Sequence, residues 1–197
     1  MKVFLNRARN ERGVTLIEML LVVAILGTVG AMGLAQMANV RRSMQGDAAM
    51  RTVMSQFNMA REMAVAQRRT MQLRFVGSNW MQIVRQEVPA GTTTLLSQAF
   101  EGSMTYRIAP SVTLDTPEGF GNSTAIAFGS STTMIAFSSD GTLIDQSGNP
   151  LNGTVFLSLV NIEPSQRAVT VMGSTGRVRG YRYQCNAART TCAWKRV

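Results

Sequence analysis

Histidine is absent from this 197-residue chain, and cysteine occurs only twice, at Cys185 and Cys192. The first absence removes the commonest metal ligand and the commonest general base. The second excludes a cysteine-rich zinc site. Acidic side chains are few, 11 against 20 Lys and Arg, so the formal charge is +9. No acidic residue follows Glu163. No nucleophile–base constellation, metal cluster or phosphate loop is legible. Asp115, Glu118, Asp140 and Asp145 sit in turn-rich surroundings and read as turn residues, not as an acid–base pair. These gaps argue against an enzyme and against a bound cofactor.

Apolar residues make up 45% of the chain and are distributed unevenly. Residues 1–13 are polar and basic, with Lys2, Arg7, Arg9, Arg12 and Glu11, a net +3 whose removal leaves +6. From Val14 to Val40 one ionisable residue occurs, Glu18. Residues 16–37 are numerous enough to span the roughly 30 Å hydrocarbon core as a helix. The basic flank stays cytoplasmic by the positive-inside bias. A secretory signal peptide has a shorter apolar region and a small-residue cleavage site. A carboxylate four residues inside an apolar segment costs a few kcal/mol, which marks it as functional. A plain signal anchor with a tolerated glutamate is the blander alternative. Gly27, Gly30 and Gly33 allow close helix packing or local melting, or reflect the ordinary frequency of glycine in such helices.

After Val40 charges appear, while Met50, Val53, Met54, Phe57, Ala60 and Ala64 keep a three-to-four spacing. That is an amphipathic helix with one buried stripe. Only Gly46 interrupts it, so one helix from Thr15 to about Gln67 is expected, roughly 80 Å long. The 14 methionines concentrate here and suit gap-filling in helix interfaces. From Thr70 the period becomes two. Residues 71–75 and 80–84 read as a hairpin, with further strands at 94–100, 104–109, 124–128, 133–138, 154–160, 167–173 and 177–184. The expected fold class is α+β: a long N-terminal helix, its hydrophobic half in membrane or filament core and its amphipathic half packed on the head, plus an antiparallel β head of two sheets. The domains expected are 1–13, 14–40, 41–69 and 70–197.

The stretch Gly13-Val14-Thr15-Leu16-Ile17-Glu18-Met19 resembles the prepilin processing motif of type IV pilins and type II secretion pseudopilins. The resemblance implies cleavage between Gly13 and Val14 by prepilin peptidase and N-methylation of Val14, which stands where the family usually has phenylalanine. It implies that Glu18 sets subunit register by meeting the new N-terminal amine of a neighbour. Phe137-Ser138-Ser139-Asp140-Gly141-Thr142 is similar to the central strand and turn of GspH/FimT-type minor pilins and pseudopilins. Ala168-Val169-Thr170-Val171 followed by Gly176-Arg177-Val178-Arg179 is similar to their C-terminal hairpin. The implied location is the inner membrane, single-pass, with a periplasmic head that reaches the filament or cell surface after assembly. The implied partners are prepilin peptidase, other pilin or pseudopilin subunits and the inner membrane.

In an oxidising periplasm Cys185 and Cys192 are expected to pair, two free thiols being the alternative. The C-terminal region after Glu163 holds Arg167, Arg177, Arg179, Arg182, Arg189, Lys195 and Arg196, with Tyr181, Tyr183 and Trp194 interleaved. Arginine forks suit phosphate and aromatic rings suit bases. The Gly-Arg-x-Arg pattern resembles the DNA-binding motif of FimT-type pilins of natural transformation. Two other readings stay open: a solvated strand face that deters edge pairing, and a docking surface for an acidic subunit. The function expected is a minor pilin or pseudopilin subunit of a type IV pilus or type II secretion pseudopilus. The alternative is a DNA-capturing minor pilin, with DNA as partner.

Overall fold

A computed structural model describes residues 14–109, 116–121, 123–129, 133–160, 162–186, 188 and 190–197, without the side chains of 32–36, 38–39 and 162–164. Gly13 and the rest of the leader lie outside the described residues. The chain divides into two units, Met1–Asn39 and Val40–Val197. One helix, α1, is assigned to Leu16–Gln67.

In the first unit, large apolar side chains of α1 face solvent on every side, among them Leu16, Ile17, Leu20, Val23, Leu26 and Val29. No helix among the described residues is long and apolar enough to cross a membrane.

In the second unit the heptad-like spacing of α1 becomes a buried stripe. Ala49, Met50, Val53, Phe57, Ala60 and Ala64 are at most 1% exposed. Phe57 lies 6.1 to 6.5 Å from the rings of Phe75, Phe128 and Phe137. Gly46 is buried because the helix backbone runs close to the sheet: a Cβ there would come within 2.6 Å of the Ser165 carbonyl oxygen.

The strands are β1 (Met71–Val76), β2 (Trp80–Gln86), β3 (Thr92–Ala99), β4 (Thr105–Tyr106), β5 (Ile126–Ala127), β6 (Met134–Phe137), β7 (Leu143–Ile144), β8 (Gly153–Leu159), β9 (Ile162–Met172), β10 (Arg177–Cys185) and β11 (Cys192–Arg196). Among the described residues they form two antiparallel sheets, β3-β2-β1-β6-β7 and β11-β10-β9-β8-β4, with β5 also paired to β8. The α+β class and the two-sheet head are as expected. The alternation of β1, with Met71, Leu73 and Phe75 inward, is the period of two read from its sequence. Residues 104–109 shorten to the two-residue β4, and β9 begins earlier than 167. Two strands, β7 and β11, carried no legible signal: β7 has two residues, and β11 follows a cysteine loop.

Inward residues of both sheets meet the α1 stripe in one core: Leu73, Ile83, Ile135, Phe137, Val155, Leu157, Val169 and Val171 belong to it. The second sheet also has a small apolar cluster on its other face, where Phe156, Ala168 and Tyr181 are buried with Ile108 and Trp194 against them. This cluster covers Phe156 on the face of β8 opposite the main core, and β8 is buried at all seven positions instead of alternating.

Candidate functional site

Two regions carry the residues singled out by sequence. In the first, Val14 is 66% exposed just before α1. Thr15 Oγ1 accepts the Glu18 backbone N–H at 3.3 Å, and Glu18 Oε2 accepts the Thr15 N–H at 3.5 Å. This is a reciprocal capping box, which satisfies helix-end donors and sets a negative charge at the positive end of the helix dipole. Glu18 therefore has a local role that the sequence reading missed, although threonine followed three residues later by glutamate is its signature.

The second region is the β9–β10–β11 corner. The β9–β10 reversal runs through a 3-10 turn, Gly173–Thr175, closed by Gly176 at φ 61°. That conformation favours glycine, and a Cβ would meet the Gly141 carbonyl oxygen at 2.5 Å. The glycine of Gly-Arg-x-Arg is thus a turn requirement.

Strand alternation then divides the basic set between two faces. Arg177 and Arg179 share a face with Tyr181, Tyr183 and Thr170, turned away from α1; Arg196, opposite Tyr181, joins them. Arg182 and its cross-strand partner Lys195 lie on the face that meets α1. Arg189 lies outside the described residues.

On the outer face, Arg179 Nη1 donates to Glu118 Oε1 at 2.6 Å and Arg177 Nη2 donates to the same oxygen at 3.1 Å. Thr170 Oγ1 donates to Glu118 Oε2 at 2.8 Å. Glu118 lies in the 3-10 turn Pro117–Gly119, as a turn residue should, but it is also the anchor of this basic pair. Burial pushes its carboxyl up, yet the bonds from Thr170, Arg179 and Tyr181 and the charge of Arg177 outweigh this and hold it below the usual carboxylate range.

On the helix face, Asp47 of α1 accepts from Arg167 Nε at 2.7 Å and from Arg182 Nη2 at 2.6 Å. Arg167, whose side chain is 0% exposed, also donates to the Ser43 carbonyl and hydroxyl. Burial works against the ionised Asp47, but the two arginines prevail and lower its pKa. Burial likewise lowers the Arg167 pKa despite Asp47. Arg167, read from sequence as one of the cations able to neutralise phosphates, is instead interior, its side chain wholly buried beside Asp47. Asp47 was not singled out, because nothing in the sequence pairs residues 120 positions apart.

The tyrosines correct the sequence reading. Tyr181 and Tyr183 are 8% and 5% exposed, and Trp194 packs 5.1 Å from Tyr183 and 5.8 Å from Phe156. Tyr181 and Tyr183 are interior, not open platforms for stacking bases. Cys185 and Cys192 form a disulfide, directly opposite one another where β10 and β11 pair. Asn186 closes the loop by accepting the Thr190 and Thr191 N–H groups. Among the described residues no group of three or more His, Cys, Asp or Glu is placed to hold a metal ion.

A capped apolar helix start and an amphipathic helix packed on an antiparallel two-sheet head define the type IV pilin-like class. Residues 8–34 match the prokaryotic N-terminal methylation motif, and residues 49–176 match the type II transport protein GspH family. The second match covers well over half of the chain, which belongs to the GspH family of pilin and pseudopilin subunits. It ends at Gly176, so the arginines that follow and the disulfide lie beyond it. Among solved structures, the type IV minor pilin FimU of Pseudomonas aeruginosa is similar in two crystal forms. In space group P21 it is 15% identical over 67% of this chain and 84% of that one, with a TM-score of 0.46. In P65 it is 14% identical over 68% and 90%, with the same TM-score. No curated protein matches the chain.

Proposed function

We propose that the chain is a minor subunit of a type IV pilus or type II secretion pseudopilus. Prepilin peptidase cuts between Gly13 and Val14, and Val14 is N-methylated. The apolar part of α1 is held by the inner membrane before assembly and by neighbouring subunits afterwards, with the head in the periplasm. The observation that carries this reading is the all-round exposure of large apolar side chains from Leu16 to Val29, interrupted by the single carboxylate of Glu18. An apolar surface of that kind requires a lipid or helical neighbour. The Cys185–Cys192 disulfide accords with an oxidising location for the head.

Mass spectrometry of the membrane-extracted protein tests the processing step: the expected N-terminus is methylated Val14, and a chain still starting at Met1 in cells with active peptidase refutes it. Glu18 has two roles to separate. Glu18→Gln keeps an oxygen for the capping box and removes the charge. Loss of filament incorporation in this variant, with membrane insertion intact, supports the registry role; incorporation as in the wild type leaves Glu18 as a cap only.

A second reading, DNA capture, draws support from one observation. Arg177 and Arg179 converge on a single oxygen atom, the geometry of an anion receptor.

A further inference from the structure

Three cations share the outer face of the β9–β10–β11 corner: Arg177, Arg179 and Arg196. They face one internal carboxylate among the described residues, that of Glu118, which is bonded to the first two. The pair keeps a surplus positive charge, and Arg179 Nε is buried without a hydrogen-bond partner. Arg196 has no ion-pair partner among the described residues. Glu118 reaches its position from a left-handed backbone conformation, φ 65° and ψ 5°, which disfavours a residue with a side chain. The turn thus delivers a carboxylate to the arginine fork against its own backbone preference.

We infer that Glu118 is a built-in competitor: it occupies the Arg177–Arg179 fork in cis, and a phosphodiester chain must displace it to bind. The inference rests on the DNA-capture reading. A lone carboxylate from another protein brings no more charge than Glu118 and lacks its high local concentration. A polyanion differs, because successive phosphates engage Arg177, Arg179 and Arg196 together and release condensed counterions. Thr170 is part of the device, since its hydroxyl holds the second oxygen of Glu118.

The test uses the full-length processed protein in detergent and a fluorescent DNA duplex, with anisotropy measured across a salt series. Glu118→Gln is expected to tighten binding about tenfold, the scale of one charge-assisted contact. Adding Arg177→Gln and Arg179→Gln should abolish the gain and lower the salt slope by about two. Thr170→Val leaves the carboxylate charged but loosened, and should tighten binding by a smaller factor; it also serves if Glu118→Gln disturbs the turn. Unchanged affinity in both Glu118→Gln and Thr170→Val overturns the competitor. If wild-type binding still depends on Arg177 and Arg179 in that case, DNA capture survives without it. A gain that persists after both arginines are replaced is a general charge effect and also overturns it. No binding in any variant removes both readings.

Discussion

Asp47 is the residue on which the helix-to-sheet attachment depends most directly. Arg167 has no exposed side-chain surface, so removing the Asp47 carboxylate takes a directly bonded anion away from a buried charge. Breaking a buried pair from one side typically costs about 3–5 kcal/mol. Because Asp47 keeps 21% of its side chain in solvent, Asp47→Ala is expected near the lower end of that range, measured by urea unfolding of the head. Gly46 makes a separate case, one turn of sequence logic away. Alanine would normally stabilise a helix interior by about 1 kcal/mol. Here its Cβ meets a carbonyl oxygen, so Gly46→Ala should destabilise by about 1–3 kcal/mol instead. The same carboxylates give the pH profile. Asp47 and Glu118 both titrate lower in the folded protein than in the unfolded chain. Their stabilisation is complete above the unfolded carboxylate range, about pH 4, and is lost as pH falls through the lower folded values. Melting temperature against pH should therefore fall on the acid side, and Asp47→Asn should start lower and fall less steeply.

Elements differ in how openly the sequence declares them. The α1 stripe and the β1–β2 hairpin were legible because each buries one face, so periods of 3.6 and two survive in the residue order. Strand β8 hid its alternation because Phe156 is covered on the face opposite the main core. The basic corner was half legible. That Arg177 and Arg179 share a face follows from alternation alone. That Lys195 lies opposite Arg182, while Arg196 lies opposite Tyr181, depends on the β10–β11 register. The Glu118 and Asp47 pairings span 61 and 135 positions at their widest and leave no local trace. Strand β11 itself hangs on one edge of its sheet, and the Cys185–Cys192 disulfide ties its start to β10. Closing a loop this short contributes about 2.5 kcal/mol in the chain-entropy view. Replacing both cysteines with serine should cost up to that amount. Hydrogen exchange should show the loss first in β11, with β8 and β9 still protected, because β11 alone depends on the closed loop for its pairing.

At the scale of the whole chain, the two units face opposite solvent requirements. Val40–Val197 holds the common core of α1 and both sheets, with Phe57, Leu73, Phe137, Val155 and Val169 all at 0% exposure. Met1–Asn39 offers large apolar side chains to its surroundings, with Leu16 at 78% and Leu26 at 66% exposure. A protein cut to residues 40–197 keeps the Asp47 attachment, the disulfide and the whole core. It should fold and stay monomeric in water, with a cooperative melting transition and one peak in size-exclusion chromatography. The chain beginning at Val14 should need detergent or lipid, because no polar face of residues 16–29 is available to water. Sedimentation of the two forms with and without vesicles separates these behaviours. If the longer form remained monomeric in plain buffer, the apolar stretch would have to be covered by its own head, and the need for neighbouring helices would disappear. If the shorter form failed to melt cooperatively, residues 14–39 would be contributing to the core itself, and the division of labour between stem and head would be lost.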